Sequence, residues 1–442
     1  MTEPRYKHMP TTRMGRAICT ARMATTLGAH ASKNAGKALL SGQRPRLENT
    51  LLTPQAAGHL AASLMQMRGA AMKLGQLLSL DDTLMLSPEL ASAFGALRAS
   101  GYAMSPKQLK QVLTHEWGGR WHTTFSHFEP RPFAAASIGQ VHRATLTSGE
   151  RVAIKVQFPN VRQSIESDLS NLRLLMRTAG LVPKALDLDY YLDLCRDQLI
   201  VETDYLTEAA NLSAMGDHIA PYPWLTAPNV FADLTTQNIL TMSYVEGRDL
   251  DSAMREATQE HRNTTAAQIM DLMVQEIFAW RMVQTDPNLA NFKYDSATSA
   301  LVLLDFGSCV EVSARVHRLY RAFLHHCAHN DAAAIKAVLK EEKLLPHPIG
   351  AELSAFIDSA IDTILTEIHR NALFDFQSSA VFDLINARDF HHIQMSIPQE
   401  PITGDFLFIQ RKVIGMILSF RAWGITLPLR EMLDSYDRVV QR

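Results

Sequence analysis

Three short segments, in a fixed order along the chain, constrain its fold more than any other feature. Val152-Ala153-Ile154-Lys155 ends a run of strand-forming residues on a lysine. Asp286-Pro287-Asn288-Leu289-Ala290-Asn291 sets an asparagine five residues after an aspartate. Leu303-Leu304-Asp305-Phe306-Gly307 carries an apolar strand straight into an aspartate. A fixed cation on a strand suits phosphate groups. An Asp/Asn pair at that spacing offers one carboxylate near an attacking group and one amide oxygen for a metal. An aspartate closing an apolar strand suits Mg2+. Nineteen positions separate Asp286 from Asp305, a short strand-loop-strand distance. The first two have plainer readings alone, a surface strand ending in lysine and a polar loop with proline at its turn, and any one of the three could be chance. Their combination points to phosphate and divalent-cation chemistry.

In this order the segments resemble the third strand, the catalytic loop and the D-F-G of the protein-kinase fold. Gln284-Thr285 stand where that loop carries His-Arg. Upstream, the register of the glycine-rich loop reads Ala134-Ala135-Ala136-Ser137-Ile138-Gly139-Gln140-Val141. The third glycine and the valine are kept, and the first two glycines are alanines. A methyl group restricts positive φ and close backbone approach, so this loop is expected to grip a nucleotide differently. An alanine-rich helix cap is the competing reading. No A-P-E follows Asp305-Phe306-Gly307, so the ordinary activation segment is missing.

Further motifs narrow the resemblance. Lys73-Leu74-Gly75-Gln76, the alanine-rich segment Ala134 to Ser137, Glu202-Thr203-Asp204 with Glu208 six residues on, and Val283-Gln284-Thr285-Asp286-Pro287-Asn288 occur in order. Together they resemble the UbiB/AarF family of atypical kinase-like proteins, in the branch linked to coenzyme Q biosynthesis. The resemblance implies an α+β, protein-kinase-like two-lobe fold with an N-terminal helical extension packed on the cleft. It implies a Lys155–Glu208 ion pair between strand and helix, Asp286 in the catalytic position, and Asn291 and Asp305 as metal ligands. Cofactor binding would fall to Ala134, Ala135, Ala136, Ser137 and Lys155 and to the segment Met242-Ser243-Tyr244-Val245. Lys73 and Gln76 would enter the cleft, with Glu202 and Asp204 meeting Lys73 there. ATP and Mg2+ are the implied cofactors.

The function so implied is an ATPase or small-molecule kinase supporting ubiquinone biosynthesis. A protein kinase acting on protein substrates and a nucleotide-switched scaffold of a biosynthetic complex are the alternatives. An isoprenoid quinone precursor or the enzymes that process it are the implied partners. No nucleic acid is expected, and an oligomer is left open.

Residues 1–50 contain nine Lys/Arg and two acids, +7 in a chain whose net charge is −2. Such an arm suits anionic lipid, nucleic acid or an acidic partner. It also has the composition of an organelle transit peptide, and a solvated arm is the plain alternative. The arrangement expected is this arm, a helical extension over 51–127, an N-lobe over 128–246 with an insertion before the glutamate-bearing helix, and a helical C-lobe over 247–442. Helices are expected over Leu60–Leu78, from Ser105-Pro106, over Ser164–Met176 and over Leu192–Leu212. A hairpin is expected around Thr147-Ser148-Gly149-Glu150, and two short strands flank Thr235-Thr236-Gln237-Asn238.

Beyond Gly247 nearly everything reads as helix. The best apolar stretch, Val413–Phe420, is closed off by Lys412 and Arg421, too short to span a bilayer. A cytoplasmic protein, peripheral at the inner membrane and mitochondrial if eukaryotic, is the expectation. The four cysteines are far apart, which argues against a disulfide framework. His325 and His329 fall at i, i+4, a metal-binding spacing, but no third ligand is evident nearby, and a solvated helix face explains them as well.

Overall fold

The computed structural model describes residues 5–7, 68–78, 102–178, 188–345, 348–386 and 403–441. The 51–67 part of the helical extension, most of the basic arm and Cys19 lie outside the described residues. Two compact units are distinguished, one within Met1–Ser213 and Pro228–Tyr244, the other within Ala214–Ala227 and Val245–Arg442.

In the first unit β1 (Arg5–Lys7) pairs in parallel with β2 (Tyr102–Met104), and α1 (Arg68–Leu78) lies between them in the chain. Helix α2 (Pro106–Trp117) starts as its sequence dictates. Ser105 caps it by accepting from Gln108 N–H at 3.3 Å, and Pro106 takes the first turn, where its missing N–H costs nothing. An antiparallel sheet follows, built from β3 (Phe125–Phe128), β4 (Ala134–Ala135), β5 (Gly139–Leu146) and β6 (Arg151–Gln157). The β5–β6 hairpin turns through Gly149 at φ +95°, a conformation that favours glycine.

Residues 158 to 219 supply α3 (Val161–Thr178), α4 (Leu188–Glu202) and α5 (Tyr205–Ile219). After β7 (Leu225–Thr226) in the other unit, β8 (Ile239–Ser243) completes the sheet beside β6. Strand β6 is buried on both faces. Its period of two sends Val152, Ile154 and Val156 into a core with Leu109, Leu113 and Phe125. Lys155 and Gln157 therefore face the other way.

Two expectations need correction here. The helix expected over Leu192–Leu212 is broken at Thr203-Asp204. Asp204 accepts the N–H of Leu206, and Thr203 donates its hydroxyl back to Ile200 C=O. Short polar side chains that bond the local backbone in this way end one helix and start the next. Of the two strands expected around Thr235–Asn238, only β8 forms. The earlier arm contributes a single bridge, Val230 to Met242, and a 3-10 turn at Ala232–Leu234.

The second unit is helical but not nearly all helix, a third correction, here to the reading beyond Gly247. It holds a four-stranded sheet ordered β7, β12, β11, β9, with β9 (Arg248–Asp249), β11 (Phe292–Asp295) and β12 (Ala300–Leu303). A separate ladder joins β10 (Met282–Gln284) to β13 (Cys309–Glu311). These strands are two to four residues long, too short for a period of two to register. The helices are α6 (Leu250–Glu256), α7 (Gln259–Val274), α8 (Ala314–Ala328), α9 (Ala332–Glu341), α10 (Ala351–Arg370), α11 (Val381–Asn386), α12 (Gly404–Trp423) and α13 (Leu429–Val440). Ile335, Leu345, Ile357, Ile361 and Leu365 form one apolar core among them. Among the described residues no helix is long and apolar enough to cross a membrane, and Cys195, Cys309 and Cys327 are free thiols.

Candidate functional site

In the first unit the Lys155 face of β6 meets the helix break. Lys155 Nζ donates to both carboxylate oxygens of Glu208, at 2.7 and 2.9 Å, and lies 5.2 Å from the centre of the Tyr205 ring. Lys155 is 7 % exposed and Glu208 3 %. Two residues along the same face, Gln157 Nε2 donates to Thr203 C=O at 3.0 Å and to Gln237 C=O at 3.1 Å. The lysine thus holds the first turn of α5, and the glutamine holds the break before it.

A second buried ion pair sits on the other side of that break. Lys73 of α1, 2 % exposed, donates to Glu202, the last residue of α4. Glu202 also accepts from the Ser137 hydroxyl at 3.0 Å. Extension, alanine-rich segment and E-x-D motif are therefore one hydrogen-bonded unit. Helix α1 comes close enough to the segment that a Cβ on Gly69 would lie 3.1 Å from Ile138. Asp204 departs from the expectation that it too meets Lys73. Among the described residues Glu202 is the acid seen at that lysine, and the Asp204 carboxylate accepts Leu206 N–H instead. The side chain of Gln76 lies outside the described positions.

The alanine-rich segment is a tight hairpin rather than a helix cap. Ala134 and Ala135 are exposed and pair with Val141 and Gln140, and Ala136 N–H donates to Gly139 C=O at 3.0 Å. The retained glycine has a packing reason: a Cβ on Gly139 would lie 2.5 Å from Val156 C=O and 2.9 Å from the Tyr205 hydroxyl. At the far end of the sheet, Met242 and Ser243 pair with Ala153 and Val152. Tyr244 donates its N–H to Arg151 C=O at 2.9 Å and packs edge-on to Phe133 at 5.8 Å. Val245 is half-buried at the start of the second unit's chain segment.

In the second unit the aspartate loops are laced side by side. The β10–β13 ladder, Thr285 N–H to Ser308 C=O at 3.0 Å and Leu304 N–H to Asn291 C=O at 3.0 Å bring 285–291 against 304–308. Asn291 Nδ2 donates to Asp286 Oδ2 at 2.9 Å, while Asp286 Oδ1 accepts from Arg411 Nη2 at 3.2 Å. With Nδ2 turned to Asp286, Asn291 keeps Oδ1 as an acceptor. Asp305 accepts Gly307 N–H at 3.0 Å, and Phe306 is buried. An amide oxygen and a carboxylate on adjoining loops are hard-oxygen donors, the kind Mg2+ takes.

Support for this loop comes from residues that no motif singles out. Helix α7 ends in a π-turn, Gln275–Ala279, which holds the fully buried Glu276. One oxygen of Glu276 accepts Gln284 N–H at 3.3 Å and the other binds Lys412. Burial pushes the Glu276 carboxyl above its usual range, and the Lys412 ammonium opposes that shift. A Cβ on Gly415 would fall 2.4 Å from Pro287 Cβ, so only glycine lets α12 approach the loop this closely. Arg411, Lys412 and Gly415 share one helix, and their spacing of one and four residues puts all three on the side facing the loop. The only sequence signal was two cations inside an apolar run.

The family model of the ABC1 atypical kinase-like domain matches residues 96–339. The chain is 35 % identical over 382 residues to the atypical kinase COQ8, mitochondrial, of Saccharomyces cerevisiae, covering 85 % of this chain and 75 % of that protein. It is 34 % identical over 442 residues to the atypical kinase COQ8B, mitochondrial, of Danio rerio, covering 98 % and 69 %. A solved structure of Rv3197 with erythromycin, from Mycobacterium tuberculosis, superposes with a TM-score of 0.56 at 19 % identity, covering 86 % of this chain and 94 % of that one. That last likeness concerns the fold alone.

Proposed function

The chain belongs to the ABC1 atypical kinase-like family, and on that premise we propose that it binds ATP with Mg2+, acting as an ATPase or small-molecule kinase in support of ubiquinone biosynthesis. The buried Lys155–Glu208 pair carries the reading. A lysine at 7 % exposure, held by both oxygens of a helix glutamate, is a pre-positioned cation, and phosphates are the ligand that needs one. Asn291 Oδ1 and the Asp305 carboxylate would hold the metal. When bound, Mg2+ neutralises phosphate charge during transfer or hydrolysis. Asp286, fixed by Arg411 and Asn291, would orient an attacking hydroxyl or water and take its proton. Lys73, tied through Glu202 to Ser137, would set how the alanine hairpin receives the nucleotide.

The basic residues of 1–50 would bring the enzyme to anionic lipid, where quinone precursors reside; basic side chains near such a surface contribute about 1 kcal/mol each. A mitochondrial location in a eukaryote fits that assignment. Calorimetric titration tests the core of it: Asp305→Asn should weaken Mg-ATP binding far more than metal-free ATP binding. Equal Mg-ATP affinity in a folded Asp305→Asn protein would sink the assignment. Quinone extraction from a deletion strain tests the pathway separately. Ubiquinone should fall, and an Asp305→Asn copy should not restore it.

A further inference from the structure

The second unit holds a cluster that the phosphoryl chemistry does not use. His325 lies on α8, His329 caps its end one turn later, and Asp437 reaches both from α13. This supplies the third ligand that the sequence spacing lacked. Each of the three side chains offers a donor atom within 4.8 Å of the other two. Asp437 Oδ2 lies 3.0 Å from His325 Nδ1 and 3.7 Å from His329 Nδ1, and the two imidazole centroids are 4.3 Å apart. With metal–ligand bonds of about 2.0–2.2 Å, donor atoms around a tetrahedral ion stand roughly 3.3–3.6 Å apart. The 3.0 Å spacing of Asp437 Oδ2 and His325 Nδ1 falls just below that value, and one donor atom from each of the three residues lies within 4.8 Å of the others.

We propose that His325, His329 and Asp437 form a binding site for a divalent transition-metal ion of the zinc class, tying α13 to α8. The surroundings orient the ligands as such a site needs. His329 Nδ1 stands 2.9 Å from His325 C=O, so an N–H there leaves Nε2 with the lone pair, the tautomer a ligating histidine requires. Asp437 is buried and accepts from Gln441 Nε2 at 3.1 Å, and Arg321 in turn grips Gln441 Oε1 at 2.6 and 2.9 Å. The His325 side chain is 40 % exposed and that of His329 59 %, which leaves room for water as a further ligand. Two imidazoles and one carboxylate favour Zn2+, Co2+ or Ni2+, whereas Mg2+ prefers all-oxygen sets such as Asn291 with Asp305.

The experiment is a Co2+ titration of the full, untagged chain in excess Mg2+, read by visible ligand-field absorption. Zn2+ competition and thermal melts accompany it. The parent protein should bind one equivalent of Co2+, lose it to Zn2+, and melt at a higher temperature in Zn2+. His329→Ala, at an exposed position that leaves folding intact, should weaken Co2+ binding by at least roughly 10–100-fold and abolish the melting shift. Asp437→Asn should do the same, and Asp305→Asn should leave Co2+ binding as it is. No saturable Co2+ or Zn2+ binding by the parent would overturn the site and leave a hydrogen-bonded acid–imidazole contact. Unchanged binding in both His329→Ala and Asp437→Asn would overturn it equally.

Discussion

In the first unit the charged residues that the motifs single out are held by one another: Lys155 by Glu208, and Lys73 by Glu202. In the second unit the motif loops bond one another and are braced in addition from outside the motifs. Arg411 grips Asp286, Lys412 fixes Glu276 beneath Gln284, and Gly415 makes space for Pro287. The first unit's pairs sit on long, patterned elements, a seven-residue strand and helices of eleven to fifteen residues. The second unit's loop hangs between strands of three and four residues and needs an external brace. A motif therefore reveals its own support where partner and motif coincide, and hides it where a generic helix does the holding.

The largest expected effect tests whether the two kinds of support are equally strong. Lys412→Ala leaves Glu276 buried without its cation, and Lys73→Ala removes the ammonium from buried Glu202. Each should cost about 3–5 kcal/mol in a denaturant melt. Lys412→Ala should slow ATP turnover through the Asp286 loop with nucleotide affinity kept, whereas Lys73→Ala should change nucleotide affinity as well. A Lys412→Ala loss below about 0.5 kcal/mol, the range of ordinary surface changes, would remove the brace from the comparison.

Acid should separate the units next. His142 is fully buried, with Gln140 Nε2 at 2.8 Å and Glu129 C=O at 2.9 Å, and burial pushes its imidazole down to about 4 from 6.5. Its folded value lies below its unfolded one, so the unfolded chain binds the extra proton between them. The stability it contributes is complete above about pH 6.5 and is lost as pH falls towards 4, by about 3 kcal/mol. Peptide-resolved hydrogen exchange at pH 7 and 4.5 should show the sheet of the first unit loosening, and His142→Gln should flatten that dependence. Equal pH profiles in parent and variant would rule the imidazole out.

A smaller contrast comes from two glycines. Gly415→Ala forces a methyl into Pro287 and should destabilise by about 1–3 kcal/mol, with lower turnover. Gly216→Ala, where nothing lies within 4 Å, should stabilise α5 by roughly 0.5–1 kcal/mol and leave activity alone. If the two changes have the same sign, close approach to the loop is not what Gly415 provides.

Much of the framework was legible because it rests on local rules. Ser105-Pro106 starts a helix, Gly149 turns a hairpin, and alternation along β6 separates Lys155 from Val152, Ile154 and Val156. Where reading failed, side chains or neighbouring strands offered the backbone other partners. Thr203 and Asp204 offered the backbone side-chain bonds in place of helix, and the residues before β8 formed one bridge instead of a ladder. The short strands of the second unit left no period to find.

By itself, then, the sequence determined the β5–β6 hairpin and the start of α2, the residue types suited to phosphate and metal, and the family to which the chain belongs. Those follow from backbone preferences, side-chain period and functional chemistry, all of which act over a few neighbouring residues. Tertiary structure alone decided that Glu202 rather than Asp204 meets Lys73, that Gly139 is there to clear Val156, and that α12 braces the Asp286 loop. It also decided that Asp437 joins His325 and His329. The partners in these contacts stand between 17 and 129 positions apart. Which of many chemically suitable side chains fills such a place depends on close packing of the folded chain, which no local pattern encodes.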